Sequence, residues 1–117
     1  MTVPSALPYT PAVRAGEWLV VSGQVGLRDG AIVEGGIEPE LRQVLDNLRR
    51  RLEAEGASMA DVVKTTCFLV DMADFAAFNE IYGAAFADPR PARSCVAVAA
   101  LPLGAVVEIE AWAHLPG

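Results

Sequence analysis

DVVKTTCFLVD, spanning Asp61 to Asp71, is dense in β-branched and apolar residues, and its polar and apolar positions alternate poorly. That pattern predicts a strand covered on both faces, at the centre of a sheet. Upstream, Pro39 suits a first helical turn, and Leu41, Val44, Leu45, Leu48 and Leu52 repeat at helical spacing. Gly56 suits the C-terminal end of that helix, while Arg42, Arg49, Arg50, Glu53 and Glu55 make its other face a solvated one. Downstream, Asp71 is placed to cap a second helix running through Asn79 to Phe86, with Asp74 three residues on and Phe75, Phe78, Tyr82 and Phe86 as the buried stripe. Pro89 and Pro91 stop it.

Further out, WLVVSGQ at Trp18 to Gln24 reads as a strand whose tail, from Ser22 onward, turns irregular. Asp29-Gly30 is a turn signal between short strands within Arg28 to Val33. Two last strands, Ala92 to Ala100 and Ala105 to His114, flank a Leu-Pro-Leu-Gly turn at Leu101 to Gly104. The order strand, small hairpin, helix, strand, helix, strand, strand predicts an α+β two-layer sandwich, the helices burying their stripes on a sheet. The second sheet face is apolar in composition too, and partner subunits are its expected cover.

A chain of 117 residues predicts one domain over residues 1–117. Hydrophobic residues make up 53% of it and the mean hydropathy is +0.34. That is rich for a small domain that must cover itself with polar surface, so an apolar subunit interface is expected. Apolar runs such as Cys95 to Leu103 reach about half of the roughly 20 residues that a bilayer span needs. Met1 to Tyr9 lacks the basic and apolar regions of a secretory signal, which makes the cytoplasm the expected compartment. Cys67 and Cys95 form no CxxC and the chain has one histidine, His114, so no structural zinc site is expected. Count alone allows a disulfide, but free thiols fit a reducing compartment. A net charge of −6 and a pI near 4.6 disfavour nucleic acid as a partner.

Alternation puts Arg93 and Cys95 on one face of their strand and Ser94 and Val96 on the other. A guanidinium among apolar neighbours requires an anion, because a buried unpaired charge is strongly unfavourable. Glu108 or Glu110 could supply it, and so could the carboxylate of a small ligand held by two parallel hydrogen bonds. Glu108 and Glu110 share one face of the last strand, opposite Val107, Ile109, Ala111 and Ala113. Either that face is open to solvent, or one acid is desolvated enough to raise its pKa for acid–base work. Asn79 lies on the apolar stripe of the second helix and needs a partner, whether a loop that it caps or a ligand. Tyr9 reads equally as an anchoring aromatic or a site residue. Ser22 cannot be assembled into a Ser-His-Asp set, and Cys95 lacks an evident base.

PARSCV at Pro91 to Val96, followed by Leu101-Pro102 and by VEIEA at Val107 to Ala111, resembles the signature of the RidA/YjgF/YER057c family of reactive-intermediate deaminases. Similar stretches are VSGQ at Val21 to Gln24, LDNL at Leu45 to Leu48, DVVKTT at Asp61 to Thr66, and Asp74-Phe75 with Asn79 and Tyr82. Together they cover nearly the whole chain. The resemblance implies a chorismate-mutase-like α+β sandwich, a mixed sheet with two helices on one face, assembled as a homotrimer around a central barrel with clefts between subunits. It further implies hydrolytic deamination of 2-imino acids, such as 2-iminopropanoate and 2-iminobutanoate, to 2-keto acids and ammonia, without metal or cofactor. Arg93 would hold the substrate carboxylate and Glu108 would orient or deprotonate water. Tyr9, Ser22, Asn79 and Cys95 would line the substrate site. The second reading is a trimeric module that binds small carboxylates without significant turnover. Gly26 to Glu38 and Ala87 to Pro91 depart from the usual family pattern, and Leu7 stands where a glycine is common.

Overall fold

Leu19 and Val21, then Thr65, Cys67 and Leu69, then Val107, Ile109, Ala111 and Ala113 are spaced by twos, so each strand turns these side chains to a single face. All of them are buried. The computed structural model describes residues 7–116. Its strands are β1 (Ala12–Ala15), β2 (Trp18–Gln24), β3 (Leu27–Arg28), β4 (Ala31–Ile32), β5 (Val62–Leu69), β6 (Ala92–Ala97) and β7 (Val107–His114), and its helices are α1 (Ile37–Ala54) and α2 (Phe75–Ala85). The main sheet has the order β1-β2-β7-β5-β6. β5 and β6 run parallel and the other pairs are antiparallel, which makes the sheet mixed. A parallel pair needs a crossover connection, and α2 supplies it. Both helices pack on the face that carries the buried residues, in an α+β arrangement.

The buried stripe of α1 is the expected one, Leu41, Val44, Leu45, Leu48 and Leu52. Gly56 follows its end at φ 83, the left-handed conformation that glycine adopts most readily. Glu40, in the first turn, is also buried, and its Oε1 accepts the Val106 N–H at 2.9 Å. That bond fastens the start of α1 to the start of β7. On the outer face Arg49 bridges Asp46 and Glu53, and Arg50 pairs with Asp46, all of them exposed or half-exposed. Asp29 and Gly30 link β3 to β4 at φ 52 and φ 83, the pair of positive values that a two-residue hairpin turn demands.

Several expectations need correction. The Asp61 to Asp71 stretch becomes β5 over eight residues, and it lies inside the sheet between β7 and β6, where a single chain covers only one of its faces. Thr65, Cys67 and Leu69 are buried, whereas Thr66 and Phe68 point to an open face. Its poor alternation therefore reflects apolar residues on an uncovered surface. The second helix starts at Phe75, and Asp71 instead caps a preceding 3-10 turn at Met72–Asp74, accepting from the Ala73 N–H at 2.9 Å. Phe78, Ile81 and Tyr82 are the buried residues of α2, with Phe86 buried just beyond its end and Phe75 partly covered. β6 stops at Ala97 rather than Ala100, and β7 starts at Val107 rather than Ala105. β1 is an added edge strand, too short and too exposed to leave an apolar period.

The open face carries Trp18, Val96 and Trp112, at 41%, 45% and 44% exposure, beside Phe68, Glu108 and Glu110. Trp18 and Trp112 meet edge to face with centroids 6.3 Å apart. Among the described residues no helix is long and apolar enough to cross a membrane.

Candidate active site

Arg93 stands opposite Thr65 in the parallel β5–β6 register, so its side chain shares the helix-covered face. Residues of α2 surround it there. Nη1 donates to Asn79 Oδ1 at 2.7 Å, and Cζ lies 5.5, 5.5 and 5.1 Å from the ring centroids of Phe75, Phe78 and Tyr82. Aromatic faces carry partial negative charge and attract a guanidinium without neutralising it. The rings are themselves fixed, since Phe78 stacks on Tyr82 at 5.4 Å and the Tyr82 hydroxyl shares a 2.6 Å hydrogen bond with buried Thr65. Among the described residues, the other N–H groups of Arg93 have no acceptor and no carboxylate pairs with it. Arg93 is thus positioned but still able to donate a two-pronged contact, and the Asn79 amide serves it rather than a neighbouring loop.

Neither Glu108 nor Glu110 is the partner of Arg93, because both lie on the opposite face of the sheet. Glu108 faces Phe68 across β5 and β7, on the open side. Burial raises its pKa above the usual carboxylate range, and the like charge of Glu110 adds to the shift. Its carboxylate rests on the backbone of Gly23, where a built Cβ would overlap it. That contact arises because the β2–β7 register shifts between Val21 and Gln24, a bulge that re-aims the Ser22-Gly23 backbone toward β7. Ser22 Oγ donates to the Thr10 carbonyl at 2.7 Å and the Ser22 N–H to the Pro11 carbonyl at 2.9 Å, which ties the Tyr9 segment to the same corner. Tyr9, 54% exposed, lines a cavity of about 420 Å³ together with Gly23, Gln24, Asn47, Arg50 and Arg51.

Two candidate half-sites result. Arg93 and Asn79 occupy one, with Cys95 further along the same face of β6. Glu108 and Ser22 occupy the other, with Tyr9 at its edge. Arg93 and Glu108 are separated by the whole of β5, by three residue positions along it, and by the thickness of the sheet. At about 3.3 Å per residue and 4.8 Å per strand, one chain cannot bring both groups onto a small molecule.

Cys95 is half-buried and Cys67, its neighbour across the β5–β6 ladder, is fully buried, and both are free thiols. Burial pushes Cys67 up to about 12 and raises Cys95 despite the nearby Arg93 charge, so both thiols stay protonated and unreactive near neutral pH. His114 bonds Glu17 at 2.9 Å on the open face, away from either half-site.

Residue type alone singled out Arg93, Asn79 and Glu108 as groups needing a partner and left open whether protein or ligand supplies it, but it missed Gly23 and the aromatic box. The Ser-Gly step that interrupts an apolar strand was the available signal for Gly23. Phe75, Phe78 and Tyr82 read as core because their helical period is the same whether they face a leucine or a guanidinium. Gly23→Ala is expected to lower any activity that depends on Glu108 about tenfold, because a Cβ there displaces the flexible Glu108 side chain rather than the backbone. A denaturation midpoint close to wild type beside that loss would confirm displacement; unchanged activity would refute it.

A family model described as Endoribonuclease L-PSP matches residues 2–115. The chain belongs to that family, the RidA/YjgF family. A mouse protein named 2-iminobutanoate/2-iminopropanoate deaminase is 48% identical over 113 residues, which are 94% of this chain and 84% of the mouse protein. The chloroplastic Reactive Intermediate Deaminase A of Arabidopsis thaliana is 47% identical over 115 residues, 96% of this chain and 62% of that protein. Among solved structures, the yeast protein YEO7 superposes with a TM-score of 0.91 at 42% identity, covering 96% of this chain and 90% of the yeast one. RidA/YjgF membership thus extends over both half-sites.

Proposed function

We propose that this protein hydrolyses reactive 2-imino acids, such as 2-iminopropanoate and 2-iminobutanoate, to 2-keto acids and ammonia, in clefts between the subunits of a homotrimer. The observation that carries this reading is Arg93, held by Asn79 and three rings with donors still free. Such a group suits a planar carboxylate, the one feature that all 2-imino acids share. Relatives named as deaminases, in mouse and Arabidopsis, support it.

In this mechanism Arg93 grips the carboxylate while Glu108 takes a proton from water as its oxygen bonds to the imine carbon. The C=N bond becomes C–N in a carbinolamine. Glu108 returns that proton to the nitrogen, and a second proton from solvent turns the amine into an ammonium leaving group. The C–N bond breaks, and ammonia departs as the hydroxyl loses its proton to water to form the keto group. Imines hydrolyse readily, so positioning and modest electrostatics suffice and no metal or cofactor is required. Tyr9 and Ser22 would shape the Glu108 side, with Asn79 and Cys95 on the Arg93 side.

The same geometry supports the proposed assembly. Because Arg93 and Glu108 face opposite ways in one chain, a complete site takes each from a different subunit. The open face with Trp18, Val96 and Trp112 supplies the apolar surface for packing sheets around a central barrel, in a chorismate-mutase-like trimer. A net charge of −6 weighs against RNA as substrate, although the family description names an endoribonuclease. The cytoplasm is the compartment we favour.

Imines generated in situ by an amino-acid oxidase test the reading. The protein should accelerate keto-acid release from both imines, and absence of acceleration would leave carboxylate binding without turnover as the function.

A further inference from the structure

The connection from α2 to β6 places Arg90 between Pro89 and Pro91, and the proline that follows keeps it extended. Its side chain turns back onto α2. Nε donates to the Gly83 carbonyl at 3.0 Å, one of the last carbonyls of the helix, which has no intrahelical partner. The guanidinium lies 3.8 to 4.0 Å from where a Cβ at Gly83 would stand, flat against the helix. The nearest acid, Asp88, is 3.6 Å from Nη1, too long for a hydrogen bond, and its side chain is 89% exposed. Such a pair contributes little and leaves the Nη edge available.

Arg90, Arg93, Asn79, Tyr82, Gly83 and Pro91 line one cavity of about 410 Å³. Among the described residues that line it are two guanidinium groups and no carboxylate. Arg93 alone meets the needs of a substrate with one carboxylate. A second cation on the same wall repels the first until an anion joins them, so the cavity suits a ligand with two negative charges. We propose that Arg90 makes this site selective for 2-imino acids whose side chain bears its own carboxylate, the imines of acidic amino acids, with Arg93 on the first carboxylate and Arg90 on the second. That the ligand is an imine rests on the deaminase reading; that it is a dianion rests on the cavity.

Unreactive keto acids separate the two points. By calorimetry at low salt, wild-type protein is expected to bind 2-oxoglutarate about fivefold more tightly than 2-oxobutanoate. Arg90→Gln should bring that ratio to about one, and Arg90→Lys should restore part of it. If Arg90 only caps the helix, its loss weakens both ligands alike and the ratio survives, which would overturn the inference, as would a wild-type ratio of one or failure of both ligands to bind. Hydrolysis of 2-iminoglutarate and 2-iminopropanoate, measured in parallel, reports on turnover alone. An Arg90-dependent ratio without hydrolysis would keep the dianion site and remove the deaminase.

Discussion

Arg93→Ala is expected to lower kcat/KM for 2-iminopropanoate by about 10²-fold or more while the protein stays folded. The substrate carboxylate loses two charge-assisted hydrogen bonds, and a net loss of about 3 kcal/mol corresponds to a factor above 10². The loss should fall on both KM and kcat, because the same contact binds the substrate and aims its imine carbon at the attacking water. Folding should survive, since Arg93 is only half-buried and lines an open cavity with Asn79 and Tyr82, while the Phe78–Tyr82 stack beneath it stays packed in the core. Arg93→Lys should recover no more than about tenfold of the activity, as an ammonium cannot form the planar two-pronged contact. Light scattering beside the assay would show that the assembly is unchanged. An Arg93→Ala protein with wild-type hydrolysis would remove the carboxylate anchor and with it the proposed mechanism.

Glu108→Gln is expected to reduce kcat by about 10²-fold or more with little change in keto-acid affinity, because a general base acts on water and not on the bound carboxylate. The direction of the pH dependence follows from its environment. Burial and Glu110 raise the Glu108 pKa, and only the ionised carboxylate can accept the proton from water. Activity should therefore rise with pH through a midpoint above the ordinary carboxylate range. Glu110→Gln removes the like charge and should move that limb to lower pH, whereas Glu108→Gln should abolish the limb. A Glu108→Gln enzyme that keeps full turnover and the same pH limb would transfer the role of base to another group.

Much of the architecture was legible because it is local. The α1 stripe, the Asp29-Gly30 turn and the alternation along β7 depend on residues a few positions apart, and the structure reproduces them. The start of α2 was misplaced because Asp71 is a good cap for any turn, and a 3-10 turn took it first. β1 was missed because a short strand on the edge buries almost nothing.

What residue type and period determined by themselves is the α+β composition, the two amphipathic helices, and that Arg93, Asn79 and Glu108 are polar groups on strands and a helix that need partners. Only the tertiary structure decided which of these meet. β7, last in the chain, inserts between β2 and β5, while β6 joins β5 in parallel on the far side. Strand order is set by pairing between distant segments, which leaves no period in the sequence. That order turns Arg93 toward the helices and Glu108 away from them. It also lays Glu108 on Gly23 and gathers Arg90 and Arg93 around one cavity.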